Sequence, residues 1–227
     1  MYKDTLIQIF SEGINEENRI PMENYMKNKF PFLGIKTPQR KELLKKFYDE
    51  TGILKEEELP LESLKEIWSL PEREFQYAVL SILVKKTKWI VPEHMSWLEE
   101  LVITKSWWDT VDTIAPNIVG HLFSREPDLI TKYIPFWKNN ENFWLRRSAI
   151  LFQLKYKEKT DVDLLFHIIE VNKYETEFFI RKAIGWALRE YSKTDAEIVE
   201  KFILSNQLST LSAKEGMKHI ERVRMRL

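Results

Sequence analysis

The sequence predicts an all-α fold arranged as an α-solenoid of stacked helical repeats, and three observations carry that prediction. Apolar residues recur at spacings of three and four rather than alternating, which is the period of a helix. Only six glycines and nine prolines punctuate 227 residues, so few breaks interrupt those helices. The chain also repeats itself. Phe143-Trp-Leu-Arg-Arg-Ser-Ala-Ile-Leu matches Phe178-Phe-Ile-Arg-Lys-Ala-Ile-Gly-Trp at an offset of 35 residues, and the same step leads back to Trp108 and then to Arg73. Paired helices repeating at this length stack so that the equivalent helix of each pair lines one concave wall.

In chain order, a short helix is expected over about 3–11, and a second begins with Pro21 in its first turn and runs through Tyr25 to about Lys29. Phe30-Pro-Phe-Leu-Gly-Ile-Lys reads as a connector. Thr37 followed by Pro38 is a cap-then-proline start for the helix of Arg40-Lys-Glu-Leu-Leu. Further helices are expected near 60–69, 72–87, 93–103, 106–123, 127–136, 142–157, 161–171, 175–192, 195–204 and 212–224. Pro116 should kink or split the 106–123 stretch, because it has no N–H for the helical ladder. The length suits one elongated domain or two small ones; a single domain over 1–227 is the expectation.

Composition narrows the chemistry. Lysine plus arginine number 35 and aspartate plus glutamate 35, so there is no net field to draw nucleic acid unless positive charge gathers on one face. With no cysteine, disulfides, thiolate nucleophiles and zinc-thiolate sites are excluded together. Met1-Tyr-Lys-Asp lacks the pattern of a signal peptide, and no apolar run approaches the roughly 20 residues of a membrane span. A soluble, cytoplasmic protein is expected. His94, His121, His167 and His219 are scattered with no close pair, which argues against a metal site.

The most informative stretch is Thr104-Lys-Ser-Trp-Trp-Asp-Thr-Val-Asp112. On a helix, Trp108 and Asp112 share a face, and a face carrying both a ring and a carboxylate is either a wet groove or a badly paired core. In the 35-residue register Tyr77, Asp112, Arg147 and Lys182 are equivalent positions. A polar ladder along one wall follows, bordered by Trp108, four residues before Asp112, and Trp186, four after Lys182. Plainer readings stand beside this one. Tryptophans at helical spacing are usually core, and Trp107, turned about 100° from Trp108, fits that role. Asp112 is equally readable as a helix acid salt-bridged to Arg147 of the next repeat, Arg147 and Lys182 as solvated charges, and Tyr25 as an ordinary amphipathic tyrosine.

Taken together, Tyr25-Met-Lys-Asn, Phe32-Leu-Gly-Ile, Leu70-Pro-Glu-Arg-Glu-Phe-Gln, Thr104-Lys-Ser-Trp-Trp-Asp with Val111-Asp112, Ala149-Ile-Leu-Phe-Gln-Leu-Lys-Tyr-Lys and Lys182-Ala-Ile-Gly-Trp with Leu188-Arg-Glu-Tyr resemble the AlkD-type bacterial alkylpurine DNA glycosylases, over nearly the whole chain. The family is built from HEAT-like repeats. The resemblance implies hydrolysis of the N-glycosidic bond of N3- and N7-alkylated purines such as 3-methyladenine and 7-methylguanine in duplex DNA, the first step of base excision repair, without base flipping. It places Trp108, Asp112 and Trp186 in catalysis, and Arg147 in the DNA groove. Lys182 is expected beside Arg147 as a phosphate contact and Tyr25 as a DNA-facing residue. The one departure, an end at Arg224-Met-Arg-Leu227 with little polar tail, touches none of these positions. No cofactor, metal or membrane is expected, and the chain should act as a monomer on alkylated double-stranded DNA. A solenoid scaffold that binds DNA structures or protein partners without catalysis is the alternative.

Overall fold

Helix starts in this chain are written by the repeat. Arg73, Trp108, Phe143 and Phe178, each one 35-residue step from the next, are the first residues of four α-helices. The residues just before them, Glu72, Trp107, Asn142 and Glu177, hold the N-cap position. Asn142 and Glu177 also cap with their side chains, accepting the N–H of Trp144 and of Phe179.

The computed structural model of the chain describes residues 1–225, so the last two residues of the Arg224–Leu227 end lie outside the described residues. Among the described residues there is no strand, and the chain divides into two compact units that part between Ile90 and Val91. The first contains α1 (Tyr2–Ser11), α2 (Glu16–Tyr25), α3 (Thr37–Thr51), α4 (Leu61–Ser69) and α5 (Arg73–Lys85). The second contains α6 (Met95–Ile103), α7 (Trp108–Ile114), α8 (Gly120–Arg125), α9 (Asp128–Trp137), α10 (Phe143–Leu151), α11 (Val162–Asn172), α12 (Phe178–Tyr191), α13 (Ala196–Ser205) and α14 (Thr210–Arg224). None of these helices is long and apolar enough to cross a membrane.

Several expectations need correction: the helix expected over 142–157 stops at Leu151, Thr37 is the first residue of its helix with Lys36 in the cap position, and the second helix differs at both ends. The second helix starts at Glu16, five residues before Pro21, because the Asn15 side chain accepts the Asn18 N–H at 3.0 Å and two acids, Glu16 and Glu17, fill the first turn. It stops at Tyr25, since Lys27 and Asn28 take the left-handed conformation at φ of 58° and 54°. The expected break at Pro116 is present, and it takes the form of a π-helical segment, Ala115–Val119, between α7 and α8. Pro116 has no N–H to give the carbonyl four residues earlier, that of Asp112, so the ladder widens there.

In the second unit α10 packs against both α7 and α12, so three consecutive register helices lie side by side. Their apolar faces, with Val111, Ile114, Ile150, Ile184 and Leu188, are buried. α14 also packs closely on α12. A Cβ on Gly185 would lie 2.5 Å from the Glu215 Cβ and 2.9 Å from the Ser212 carbonyl oxygen, a distance only a glycine allows. That contact seats Glu215 against the register helices.

Candidate DNA-facing site on the register helices

One recess of about 650 Å³ opens on this side of the second unit. Trp108 and Asp112 reach it from α7, Arg147 from α10, Lys182 and Trp186 from α12. Five of the six expected site residues therefore meet at one place. The sixth, Tyr25, closes α2 in the other unit with its ring 68% exposed. Trp108, Asp112 and Trp186 are all half-buried, neither sealed in the core nor standing free. Trp107, one residue from Trp108, packs instead into an aromatic cluster, with ring centroids 5.9 Å from Trp144 and 5.0 Å from Phe179, as expected of a structural tryptophan.

The ladder read from the register is physical at its centre. Arg147 holds Asp112 by a two-pronged pair, Nε to Oδ1 at 2.8 Å and Nη2 to Oδ2 at 2.9 Å, and its Nη1 donates to the Phe179 carbonyl. Its side chain is only 5% exposed. This is the ion pair that the sequence left open as the plainer reading of Asp112. Three of the five guanidinium N–H groups are thus committed within the protein, and the geometry makes Arg147 the holder of Asp112 rather than the phosphate contact expected of it. Breaking a buried pair of this kind costs roughly 3–5 kcal/mol, because the partner is left charged and uncompensated.

Burial pushes the Asp112 carboxyl above the usual carboxylate range, and nearby Asp109 adds to the push, while the bonds and charge of Arg147 pull the other way. A carboxylate has about four lone-pair sites. Arg147 occupies one on each oxygen, which leaves each oxygen a further site for a water or a developing positive charge. Raised basicity with an oriented charge is what general-base or electrostatic work requires.

Sequence reasoning missed four residues that line the same recess: Phe178, Phe179, Arg189 and Glu215. Glu215, from α14, is 4% exposed and binds Lys182 at 2.8 Å, Lys218 at 2.8 Å and Arg189. Burial pushes its carboxyl up, but the bonded ammoniums of Lys182 and Lys218 and the Arg189 charge outweigh that and hold it at about 2. The available signal was Gly185 inside an otherwise good helix, which marks close approach of another backbone. No group of three or more His, Asp or Glu side chains that could hold a metal ion occurs among the described residues.

A family model described as DNA alkylation repair enzyme matches residues 6–220. The chain belongs to the DNA alkylation repair enzyme family. A solved structure described as a predicted DNA alkylation repair enzyme from Enterococcus faecalis is 33% identical and superposes with a TM-score of 0.81, over 91% of this chain and 96% of that one. A search of curated proteins gives no match. The α-solenoid fold class read from the sequence is borne out by that structural likeness. Membership of the DNA alkylation repair enzyme family makes the protein an enzyme of alkylated-DNA repair, with DNA as its partner.

Proposed function

We propose that the protein is a DNA glycosylase that hydrolyses the N-glycosidic bond of cationic N3- and N7-alkylpurines, 3-methyladenine and 7-methylguanine among them, in duplex DNA. The observation that carries the proposal is the Asp112 carboxylate, oriented by Arg147 in a recess that also presents the indoles of Trp108 and Trp186. Alkylation makes the purine a cation and so a good leaving group, which removes most of the need for an acid. As the bond breaks, its electron pair neutralises the departing base and positive charge develops on the sugar, as in glycoside hydrolysis. Asp112 stabilises that charge and takes the proton of the water that adds at C1′, leaving an abasic site and a free base.

The indole faces contribute through CH–π and cation–π contact, worth roughly 0.5–2 kcal/mol each. Neutral amide and hydroxyl side chains are missing from the recess lining, and its acids and cations are largely paired with one another. That composition suits an enzyme that acts at the sugar without flipping the base. Lys182, at 36% side-chain exposure, is the phosphate contact, and Tyr25 a DNA-facing residue of the first unit. The two units act as one repair domain over 1–227, which agrees with a family match running through both, and the enzyme works as a cytoplasmic monomer.

The test is chromatography of bases released from N-methylated duplex. Asp112→Asn should lower 7-methylguanine release by about 10²–10³-fold, the scale for removing one preorganised electrostatic group. Release equal to wild type sinks the catalytic assignment. The second reading, a non-catalytic DNA-binding solenoid, draws support from the satisfied ion pair of Asp112. It is favoured if the wild type binds duplex yet frees no base.

A further inference from the structure

The second unit keeps large apolar side chains in water at one repeated place. Phe136, Val171 and Leu204 are the last-but-one residues of α9, α11 and α13, and they are 72%, 40% and 76% exposed. Tyr174, just past the end of α11, is 71% exposed. None of the four lines the recess of Asp112. The helix ends that carry them stand side by side. Asn172 Nδ2, at the end of α11, donates to the Lys138 carbonyl at 3.0 Å, and Lys138 Nζ lies 2.5 Å from His167 Nε2. Lys173 Nζ donates to Asn206 Oδ1 at 3.4 Å, and the Phe166 ring stacks on Phe202 with centroids 3.9 Å apart. α9, α11 and α13 therefore finish along one edge of the unit, with an apolar side chain at each step.

Cations are interleaved with this row. Lys138 and Lys173 hold the C-cap positions of α9 and α11, each two residues after its apolar neighbour. Their partners are an imidazole and an amide. Lys132 and Lys201, one turn before Phe136 and Leu204, are exposed. None of these four lysines meets a carboxylate in an ion pair among the described residues. The negative end of a helix dipole accounts for a lysine at a C-cap. It does not account for large apolar side chains left in water beside it, which mark a surface that a partner covers.

We infer that Phe136, Val171, Tyr174 and Leu204, with Lys138 and Lys173 between them, form a docking strip for an extended acidic segment of a partner protein. Charge complementarity and the shape of the row select that occupant. Ammonium groups have no acceptor atom and must be met by anionic oxygens, while the rings and aliphatic groups must be met by apolar side chains. The phosphodiester backbone of duplex DNA supplies the first and not the second. An anionic bilayer supplies both, but it is a plane, and a single row of apolar points gives it little area to bury. Packed helices lie roughly 8–10 Å apart, and an extended chain rises about 3.3 Å per residue. Three residues of such a segment therefore span one step of the row, so its apolar residues recur at every third position with carboxylates between.

The probe is a fluorescein-labelled peptide of four Asp-Asp-Phe repeats, read by fluorescence anisotropy against the whole protein. Phe136→Ser/Leu204→Ser removes two exposed side chains, so its melting temperature should match the wild type while the peptide binds about 10-fold more weakly, the scale for losing anchor residues of an interface. Lys138→Ala/Lys173→Ala should flatten the salt dependence of binding, since charges this near solvent are screened. Ile20→Ser, an equally exposed apolar residue of α2, should leave affinity alone. Peptides in which Ser replaces either every Asp or every Phe should both bind more weakly. A wild type that does not bind the acidic peptide, an unaltered affinity in Phe136→Ser/Leu204→Ser, or an equal loss in Ile20→Ser overturns the strip. Phe136→Ser/Leu204→Ser losing unmodified duplex, or losing flotation with phosphatidylglycerol vesicles, while the peptide stays unbound by the wild type gives the row to DNA or to lipid instead.

Discussion

Both units bury ionised side chains, but they satisfy them in opposite ways. In the first unit Glu74, fully buried, accepts the backbone N–H groups of Leu33 and Ile35 at 3.0 Å each. Lys86, 1% exposed, donates to the carbonyls of Ile53 at 3.2 Å and Glu56 at 2.6 Å. These charges tie connectors to helices, and their partners are main-chain groups that have nothing else to do. In the second unit Asp112 and Glu215 are satisfied by the side chains Arg147, Lys182 and Arg189 beside an open recess. A buried charge held by backbone is a clamp. A buried charge held by other charges at the edge of solvent keeps lone pairs and donors to offer, and that is where chemistry is expected.

The comparison is most directly tested through Glu74. Glu74→Ala orphans two backbone donors that were bonded to a charge, at about 1.5 kcal/mol or more apiece. The expected loss is roughly 3 kcal/mol, or about 6–12 °C in melting temperature for a chain of this size. Base release by the protein that remains folded should barely change. If excision collapses while the melt stays put, Glu74 belongs to the working surface and the distinction between clamps and site charges fails.

A smaller effect is expected at Trp108. Its ring is half-buried in the recess and not in the core, so Trp108→Ala should reduce excision by about 10-fold, the equivalent of one good cation–π contact. Folding should hold. A melt lowered as much as that of Glu74→Ala would return Trp108 to the core.

The sequence carried the fold further than it carried the site. The 35-residue register was legible because it fixes a local property, where each helix begins, and the starts at Arg73, Trp108, Phe143 and Phe178 obey it. Pro21 was misread as a start because a proline is tolerated in a first turn, whereas the deciding signal was the weaker-looking Asn15 with two acids after it. In the site, the register correctly placed Asp112, Arg147 and Lys182 on one wall. It could not say which anion Arg147 would meet. A carboxylate on the next helix and a DNA phosphate attract a guanidinium alike, and the choice depends on the spacing between α7 and α10, which an offset in sequence does not encode. Glu215 was invisible for the same reason, since its role depends on the close approach of α14 to α12 at Gly185. Nothing about an acid in Lys214-Glu-Gly announces three cations around it.

The finest test separates charge from geometry at Arg147. Arg147→Lys keeps the positive charge but loses the fork, because an ammonium cannot bond both Asp112 oxygens in the planar two-pronged manner seen at 2.8 and 2.9 Å. In the wild type, burial raises the Asp112 carboxyl and Arg147 opposes that rise. Weakening the opposition must therefore move the carboxyl higher still. Excision requires the ionised form, so the acid limb of the pH–rate profile should shift to higher pH. Well above the limb, the rate should fall only a few-fold, the residual cost of a less well-oriented carboxylate. A limb that stays in place while the plateau drops would mean that Arg147 acts through packing alone. A limb absent from both proteins would mean that protonation of Asp112 does not govern excision, against a proton-accepting and a charge-stabilising role alike.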